Sequence, residues 1–201
     1  MAPKSFSEAE RAAIDQRLRA VAADCLNRYG VRKTTVDELV RLANIPKGTF
    51  YLFYPSKEEL FFSLFIEMHD KLRQDFFMRL TKAGPSIGWR DLADALLTMC
   101  RETGDIFLVS LMADGELELI LRKLPPELVA QHQNDDDGNM EQMFTMLPQL
   151  AGKNPEVYSA AMRGVFLLLI NKREIGEAVF DDVLKVTIYG LCRQLFAEDT
   201  L

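Results

Sequence analysis

The residues with the most recognisable chemistry lie between Lys33 and Leu60, in the stretch KTTVDELVRLANIPKGTFYLFYPSKEEL. Four rings, Phe50, Tyr51, Phe53 and Tyr54, fall within five positions, with Lys47 and Lys57 on either side. Hydroxyls and ammonium groups set around a glycine suit contact with the phosphates and groove of a nucleic acid. In that chemistry Lys47 adds positive charge where free backbone N–H groups favour an anion. Gly48 lets backbone come close, and Thr49 reaches a phosphate or a thymine methyl. Tyr51 offers its phenol to a phosphate, Lys57 clamps a neighbouring one, and Thr35 shares its hydroxyl with the DNA backbone. Most of these contacts position a protein and carry no sequence information.

Other chemistries have weaker support. An enzyme needs a nucleophile–base or acid–base constellation, and the two histidines, His69 and His132, have no catalytic context. His132 with Asp135 and Asp136 has metal-ligand spacing, but Asp135 to Asp137 read better as a solvated acidic turn. Cys25, Cys100 and Cys192 form neither metal-ligand spacing nor a disulfide framework, and Cys25 lies on an apolar helical face as an inert thiol does. No enzyme activity, metal or cofactor is expected. A metal- or redox-responsive regulator, and a helical interaction module that binds no DNA, are the alternatives.

The chain has 201 residues, a formal net charge of −6 and 48% hydrophobic residues, enough for one domain or two small ones. Residues 1–60 hold ten Lys/Arg and eight Asp/Glu, whereas the rest hold fourteen and twenty-two, so an anion-binding surface belongs near the start. The opening residues have no apolar signal-peptide core, and the longest apolar run, Val165 to Ile170, is too short to span a bilayer. With its cysteine usage, the chain is expected in the cytoplasm.

Only helices are legible. Ser7/Glu10, Thr35/Glu38 and Ser56/Glu59 are capping boxes. Ile14, Leu18, Val21, Cys25 and Tyr29 recur at helical spacing until Gly30 stops the first helix. Thr35 opens a short second helix, Asn44 suits a left-handed turn, and Pro46 starts a third helix that ends near Phe53 before Pro55. The fourth runs through Leu60, Leu64, Met68, Leu72 and Phe76 to about Leu80. Further segments span 88–103, 105–122, 126–150, 155–171 and 176–197, about nine helices in all, and NDDDGN (Asn134 to Asn139) is a polar interruption within one of them. Phe50 and Tyr54, four apart, should face inward, and Tyr51 outward.

Two short helices joined by a tight turn, the second beginning PKGT, form a helix-turn-helix at about 35–54. Gly30, Thr34, Thr35, Leu39, Ala43, Lys47, Gly48, Thr49, Tyr51, Tyr54 and Ser56 to Leu60 resemble the DNA-binding domain of the TetR family of one-component transcriptional regulators. The resemblance covers residues 8–60 closely and the helical remainder loosely. It implies an all-α fold with a three-helix DNA-binding domain over 1–60 and a ligand-binding, dimerising domain over 61–201. It implies a repressor released from a near-palindromic operator by a small apolar or amphipathic ligand, with DNA contacts at Lys33, Thr34, Thr35, Lys47, Gly48, Thr49, Tyr51, Leu52 and Lys57. The sequence departs at Asn44, usually glycine, at Pro46, often serine, at Val40, often alanine, and at Leu52, commonly histidine. Base preference is therefore less transferable.

For the remainder, the resemblance implies a dimer surface and a small-molecule cavity. Apolar residues on every side of 165–170 call for partners on two faces, placing Val165, Leu168, Leu169, Val183, Ile188 and Leu191 at a homodimer contact. Gly164 and Gly190, each costing about 1 kcal/mol mid-helix, suit close helix crossing. Met99, Phe107, Met112, Met143, Phe144, Met162 and Phe166 offer adaptable apolar lining. Met68, His69 and Leu72 on the fourth helix lie where a ligand would push on the DNA-binding part.

Overall fold

The computed structural model describes residues 6–84, 86–104, 115–150 and 152–197, and only the backbone of 103–104 and 133–142. Its helices are α1 (Glu8–Lys33), α2 (Val36–Ala43), α3 (Lys47–Phe50), α4 (Lys57–Ala83), α5 (Trp89–Gly104), α6 (Glu116–Leu121), α7 (Pro126–Met146), α8 (Pro155–Ile170), α9 (Lys172–Ile175) and α10 (Phe180–Leu195), with one 3-10 turn at Pro148–Leu150. No described residue is in a strand. No helix among the described residues is long and apolar enough to cross a membrane.

The chain forms two compact units. The first comprises residues 1–68 and 114–124, the second 69–113 and 125–201. In the first, the Ser7 hydroxyl accepts from the Glu10 N–H at 3.3 Å, and the Glu10 carboxylate accepts from the Ser7 N–H at 2.8 Å. That closed box starts α1, whose buried Ile14, Leu18, Ala22 and Cys25 recur at spacings of four and three. Gly30 interrupts the helix at φ 73°, ψ 179°, a region open essentially to glycine alone. One further turn, Val31 to Lys33, completes α1.

α2 begins at Thr35, whose hydroxyl accepts from the Glu38 N–H at 3.2 Å. It ends at Asn44 in the left-handed conformation (φ 52°, ψ 53°). Asparagine serves here because its short polar side chain tolerates positive φ. α1 packs on α2 and α6, and α2 packs on α3. The interior of this unit includes Leu18, Leu39, Phe50, Leu60, Phe61 and Ile120, all fully buried.

In the second unit α5 packs on α10, and α8 packs on α7 and α10. One apolar cluster includes Leu92, Cys100, Leu147, Val165, Leu184, Ile188 and Cys192. α7 continues through Asn134 to Asn139, so the acidic run does not break the helix. Intrahelical hydrogen bonds outweigh the low helix propensity of Asn, Asp and Gly there. The expected segment 176–197 is shorter than foreseen. Gly176, at φ 108°, separates α9 from α10, which starts only at Phe180.

Candidate nucleic-acid interface

The turn between α2 and α3 is held by its own backbone. The Asn44 N–H reaches Arg41 O at 3.3 Å and the Ile45 N–H reaches Val40 O at 3.0 Å. α3 has only four residues. Thr49 N–H returns to Pro46 O at 2.9 Å, Leu52 N–H to Thr49 O at 3.1 Å and Tyr54 N–H to Phe50 O at 3.0 Å. Phe50 is fully buried and Tyr54 nearly so, their ring centroids 6.2 Å apart, as their spacing of four predicts. The Tyr54 hydroxyl donates to the Asp15 carboxylate. Burial first, and that bond second, push the phenol up to about 12. Arg19 completes the link from α1 to α4, donating at 2.8 Å to both Asp15 and Glu67. The Arg11 guanidinium lies over the Phe53 ring, 4.9 Å from its centre.

Of the expected DNA contacts, Lys33, Thr35, Lys47, Gly48, Tyr51 and Leu52 are exposed. Tyr51 is 51% exposed and Leu52 60%. A side chain built on Gly48 would meet nothing. Lys47 pairs with Asp37 at 2.9 Å, and this hydrogen bond raises its pKa.

Three expected contacts are placed otherwise. Thr34 is fully buried and its hydroxyl donates to Gly30 O at 2.8 Å, so it offers nothing to DNA. Thr49 is also buried, at 8% exposure, because it lies on the inward side of the single turn of α3. Lys57 is no free arm. Its ammonium donates to Val31 O at 2.8 Å and Thr34 O at 2.5 Å, bonding the carbonyls at the end of α1, and burial lowers its pKa.

The same corner contains residues that sequence reasoning missed. The Glu116 carboxylate accepts from the buried Val31 N–H at 2.8 Å. A Cβ at Gly30 would lie 2.6 Å from a Glu116 oxygen. Lys123 bonds the Glu58 carboxylate at 2.7 Å, and the Glu58 side chain is only 8% exposed. α6, which follows α5 in sequence, is part of the first unit, with Ile120 fully buried within it. Local spacing carries no trace of these contacts, because the partners are 65 and 85 residues apart. Gly30 was the available signal, since a glycine after a helix marks either positive φ or a close approach. Here it marks both.

In the second unit Met143, Met162 and Leu72 are buried, and Met99, Phe144 and Phe166 pack against the apolar cluster. Met68 is half-buried at the end of the first unit. His69 and His132 meet edge to face, 5.1 Å between ring centres. Phe107 and Met112 lie outside the described residues, as do the side chains of Asp135 to Asp137. Among the described residues no group of three or more His, Cys, Asp or Glu could hold a metal ion. Burial pushes the Cys100 and Cys192 thiols up to about 12 and raises Cys25, which leaves each protonated and inert at neutral pH.

The expected dimer residues divide. Val165, Leu169 and Ile188 belong to the unit's own core, and Leu168 and Leu191 pack partly against it. Val183, half-buried, is the one expected residue on the outward faces, whose other members are different. Val157, Ala160, Gly164 and Leu167 follow one another along α8 at spacings of three, four and three. Val179, which caps α10, is followed by Val183, Val186 and Gly190 within it at four, three and four. Leu167 is 57% exposed and Val186 73%. A side chain built on Gly164 or Gly190 would meet nothing within the chain.

Residues 18–64 match the model of bacterial regulatory proteins of the tetR family. A stretch of 53 residues is 38% identical to the uncharacterized HTH-type transcriptional regulator YhgD of Bacillus subtilis (strain 168), covering 26% of this chain and 28% of that relative. The fold is similar to that of a TetR transcriptional regulator from Rhodococcus sp. RHA1, at 17% identity and a TM-score of 0.61, over 94% of this chain and 98% of that one. It is likewise similar to Thermus thermophilus FadR in complex with lauroyl-CoA, at 16% identity and a TM-score of 0.61, over 90% and 92%. The matched residues hold the helix-turn-helix that presents Gly48, Tyr51 and Leu52 to solvent, so residues 18–64 are similar in sequence to the DNA-binding part of the tetR family of bacterial regulatory proteins.

Proposed function

We propose that this protein is a homodimeric, sequence-specific DNA-binding regulator, a repressor released from a near-palindromic operator by a small apolar or amphipathic ligand. The observation that carries DNA binding is the outward face of α3 and its turn, where Lys47, Gly48, Tyr51 and Leu52 stand exposed on a helix-turn-helix closed by its own backbone. Thr35 adds a cap hydroxyl whose hydrogen remains available to a phosphate.

The outward stripes of α8 and α10 support a homodimer. Each is apolar, and each contains a glycine that costs about 1 kcal/mol in a helix, a cost that close packing of another surface offsets. A second copy crossing at Gly164 and Gly190 is such an approach. Two-fold symmetry then places two recognition segments on half-sites about one helical turn apart or a multiple of it. The ligand class rests on Met143, Phe144, Met162 and Phe166, and on a relative of the same fold that holds lauroyl-CoA. α4 is one helix with residues in both units, so a ligand that favours one arrangement of it has a route to the DNA contacts. A hundred-fold release corresponds to about 2.7 kcal/mol of coupling, and DNA must weaken the ligand by the same factor.

Selection from random duplexes, followed by mobility shift, tests DNA binding directly. A palindromic consensus bound by a dimer is expected, and failure to enrich any duplex would refute the reading. Leu167→Glu and Val186→Glu should give folded monomers by light scattering. Dimers of normal stability would put the interface elsewhere. Titrating acyl-CoAs of rising chain length into the DNA complex tests the ligand class. Release by a metal ion or an oxidant instead would overturn it.

A further inference from the structure

The recognition segment from Pro46 to Tyr54 reads PKGTFYLFY and contains no Arg, Asn, Gln, His, Asp or Glu. Arg, Lys, Asn, Gln, Asp and Glu make most hydrogen-bonded contacts to base edges, and of these the segment holds Lys47 alone. Thr49, a further hydrogen-bonding side chain, is buried. Lys47 approaches any groove already paired with Asp37 at 2.9 Å, and Gly48 has no side chain. Two large side chains remain on the outward surface, Tyr51 and Leu52.

Leu52 is the most exposed large apolar residue among the described residues of the DNA-binding unit. Its place is fixed, because its N–H bonds Thr49 O at 3.1 Å and the next N–H, from Phe53, bonds Phe50 O at 3.0 Å. It can neither donate to a phosphate nor accept from a base. The major groove presents one apolar group, the C5-methyl of thymine, and the minor groove presents none. We propose that Leu52 determines operator specificity by packing against a thymine methyl in the major groove. The inference rests on the DNA-binding function proposed above and names what that surface reads. With few hydrogen-bonding groups available, thymine methyls and duplex shape carry much of the discrimination.

The experiment selects sites from random duplexes with the wild-type chain and with Leu52→Ala in parallel, after confirming equal melting temperatures. Wild type is expected to fix a thymine in each half-site, and Leu52→Ala to relax it. Uracil is then placed at each fixed thymine, which removes the methyl and keeps the base pair. Wild-type affinity should fall about four-fold per methyl, the equilibrium factor for one buried CH₂-sized group. Leu52→Ala should bind the uracil and thymine duplexes alike. If wild type tolerates uracil at every position of its site, or Leu52→Ala keeps full sensitivity to it, the inference is wrong while DNA binding stands. If neither chain enriches any duplex, the proposed function itself fails and the inference falls with it.

Discussion

Two corners of the DNA-binding unit have similar residue types and opposite roles. At the end of α1, Thr34, Lys57, Glu58 and Glu116 all turn to neighbours within the chain. They bond Gly30 O, two carbonyls, the Lys123 ammonium and the Val31 N–H. Along α3 and its turn, Lys47, Gly48, Tyr51 and Leu52 face solvent. A threonine and a lysine at motif positions therefore do not by themselves report a DNA contact. What decides is whether a backbone group nearby needs a partner. The left-handed break at Gly30 exposes several at once, since carbonyls at a helix end have no intrahelical partner. Buried polar groups left unpaired are costly, so those side chains are drawn inward.

The largest effect should come from Gly30→Ala. The backbone conformation alone costs a non-glycine residue about 1–3 kcal/mol. The new Cβ would also lie 2.6 Å from the Glu116 carboxylate. Chemical denaturation should show the loss. Gly30→Ala combined with Glu116→Ala should recover only the steric part, and full additivity would mean that the two residues do not meet.

Next in size are Lys57→Ala and Glu116→Ala, each removing a partner from buried backbone groups at a cost of about 1–3 kcal/mol. Glu116→Gln should keep most of its stability, because an amide oxygen still accepts from the Val31 N–H. Amide exchange at Val31 would report that bond directly. For Lys57 the comparison sharpens on salt dependence. Removing a lysine that pairs with a phosphate flattens the slope of log affinity against log salt by about one unit. A drop in stability at an unchanged slope would make Lys57 a structural staple alone, and a flattened slope would show that its third N–H also reaches the DNA.

Tyr54 makes a smaller, pH-dependent contribution. Its phenol is raised from 10 to about 12 by burial and by Asp15. Between those values the unfolded chain has lost the proton and the folded chain keeps it, so stability falls as pH rises through that window. Below pH 10 the contribution is fully present. Tyr54→Phe should lose the hydrogen bond at neutral pH and flatten the alkaline part of the stability curve. An unchanged alkaline profile would break the assignment.

What was legible in the sequence was what depends on near neighbours. The Ser7/Glu10 box, the Thr35 and Ser56 caps, the left-handed Asn44 and the inward Phe50/Tyr54 pair all involve residues within four positions, or one residue's own backbone. What was not legible crosses the chain. Glu116 bonds Val31 from 85 positions away, and no periodicity carries that. On α8 and α10 the pattern showed two apolar faces without saying which is covered. Val165, Leu169 and Ile188 are expected at a homodimer contact for that reason, although they pack within the chain and Leu167 and Val186 take the surface. Likewise the NDDDGN run has poor helix propensity, yet propensity is a weak prior beside the packing and hydrogen bonding of a long helix.

The smallest expected effect lies on the outward corner, and it tests whether Lys47 is a DNA contact. In the free chain its ammonium is paired with Asp37 at 2.9 Å, both side chains largely exposed. An approaching phosphate would have to share or displace that carboxylate, which is itself repelled by the DNA. Asp37→Asn leaves an uncharged group of the same size beside Lys47. It should tighten operator binding about two- to five-fold at low salt, the scale of one exposed charge pair, and less at high salt. The gain should appear on specific and unrelated duplexes alike, because phosphates carry no sequence. Lys47→Ala should weaken both. In the double variant the gain from Asp37→Asn should shrink, since the carboxylate then masks no ammonium, and that coupling isolates the pair. Fluorescence anisotropy at two salt concentrations would resolve it. If Lys47→Ala leaves affinity for every duplex unchanged, the recognition segment contacts DNA through Tyr51, Leu52 and the backbone at Gly48, and the lysine serves only the α2–α3 link.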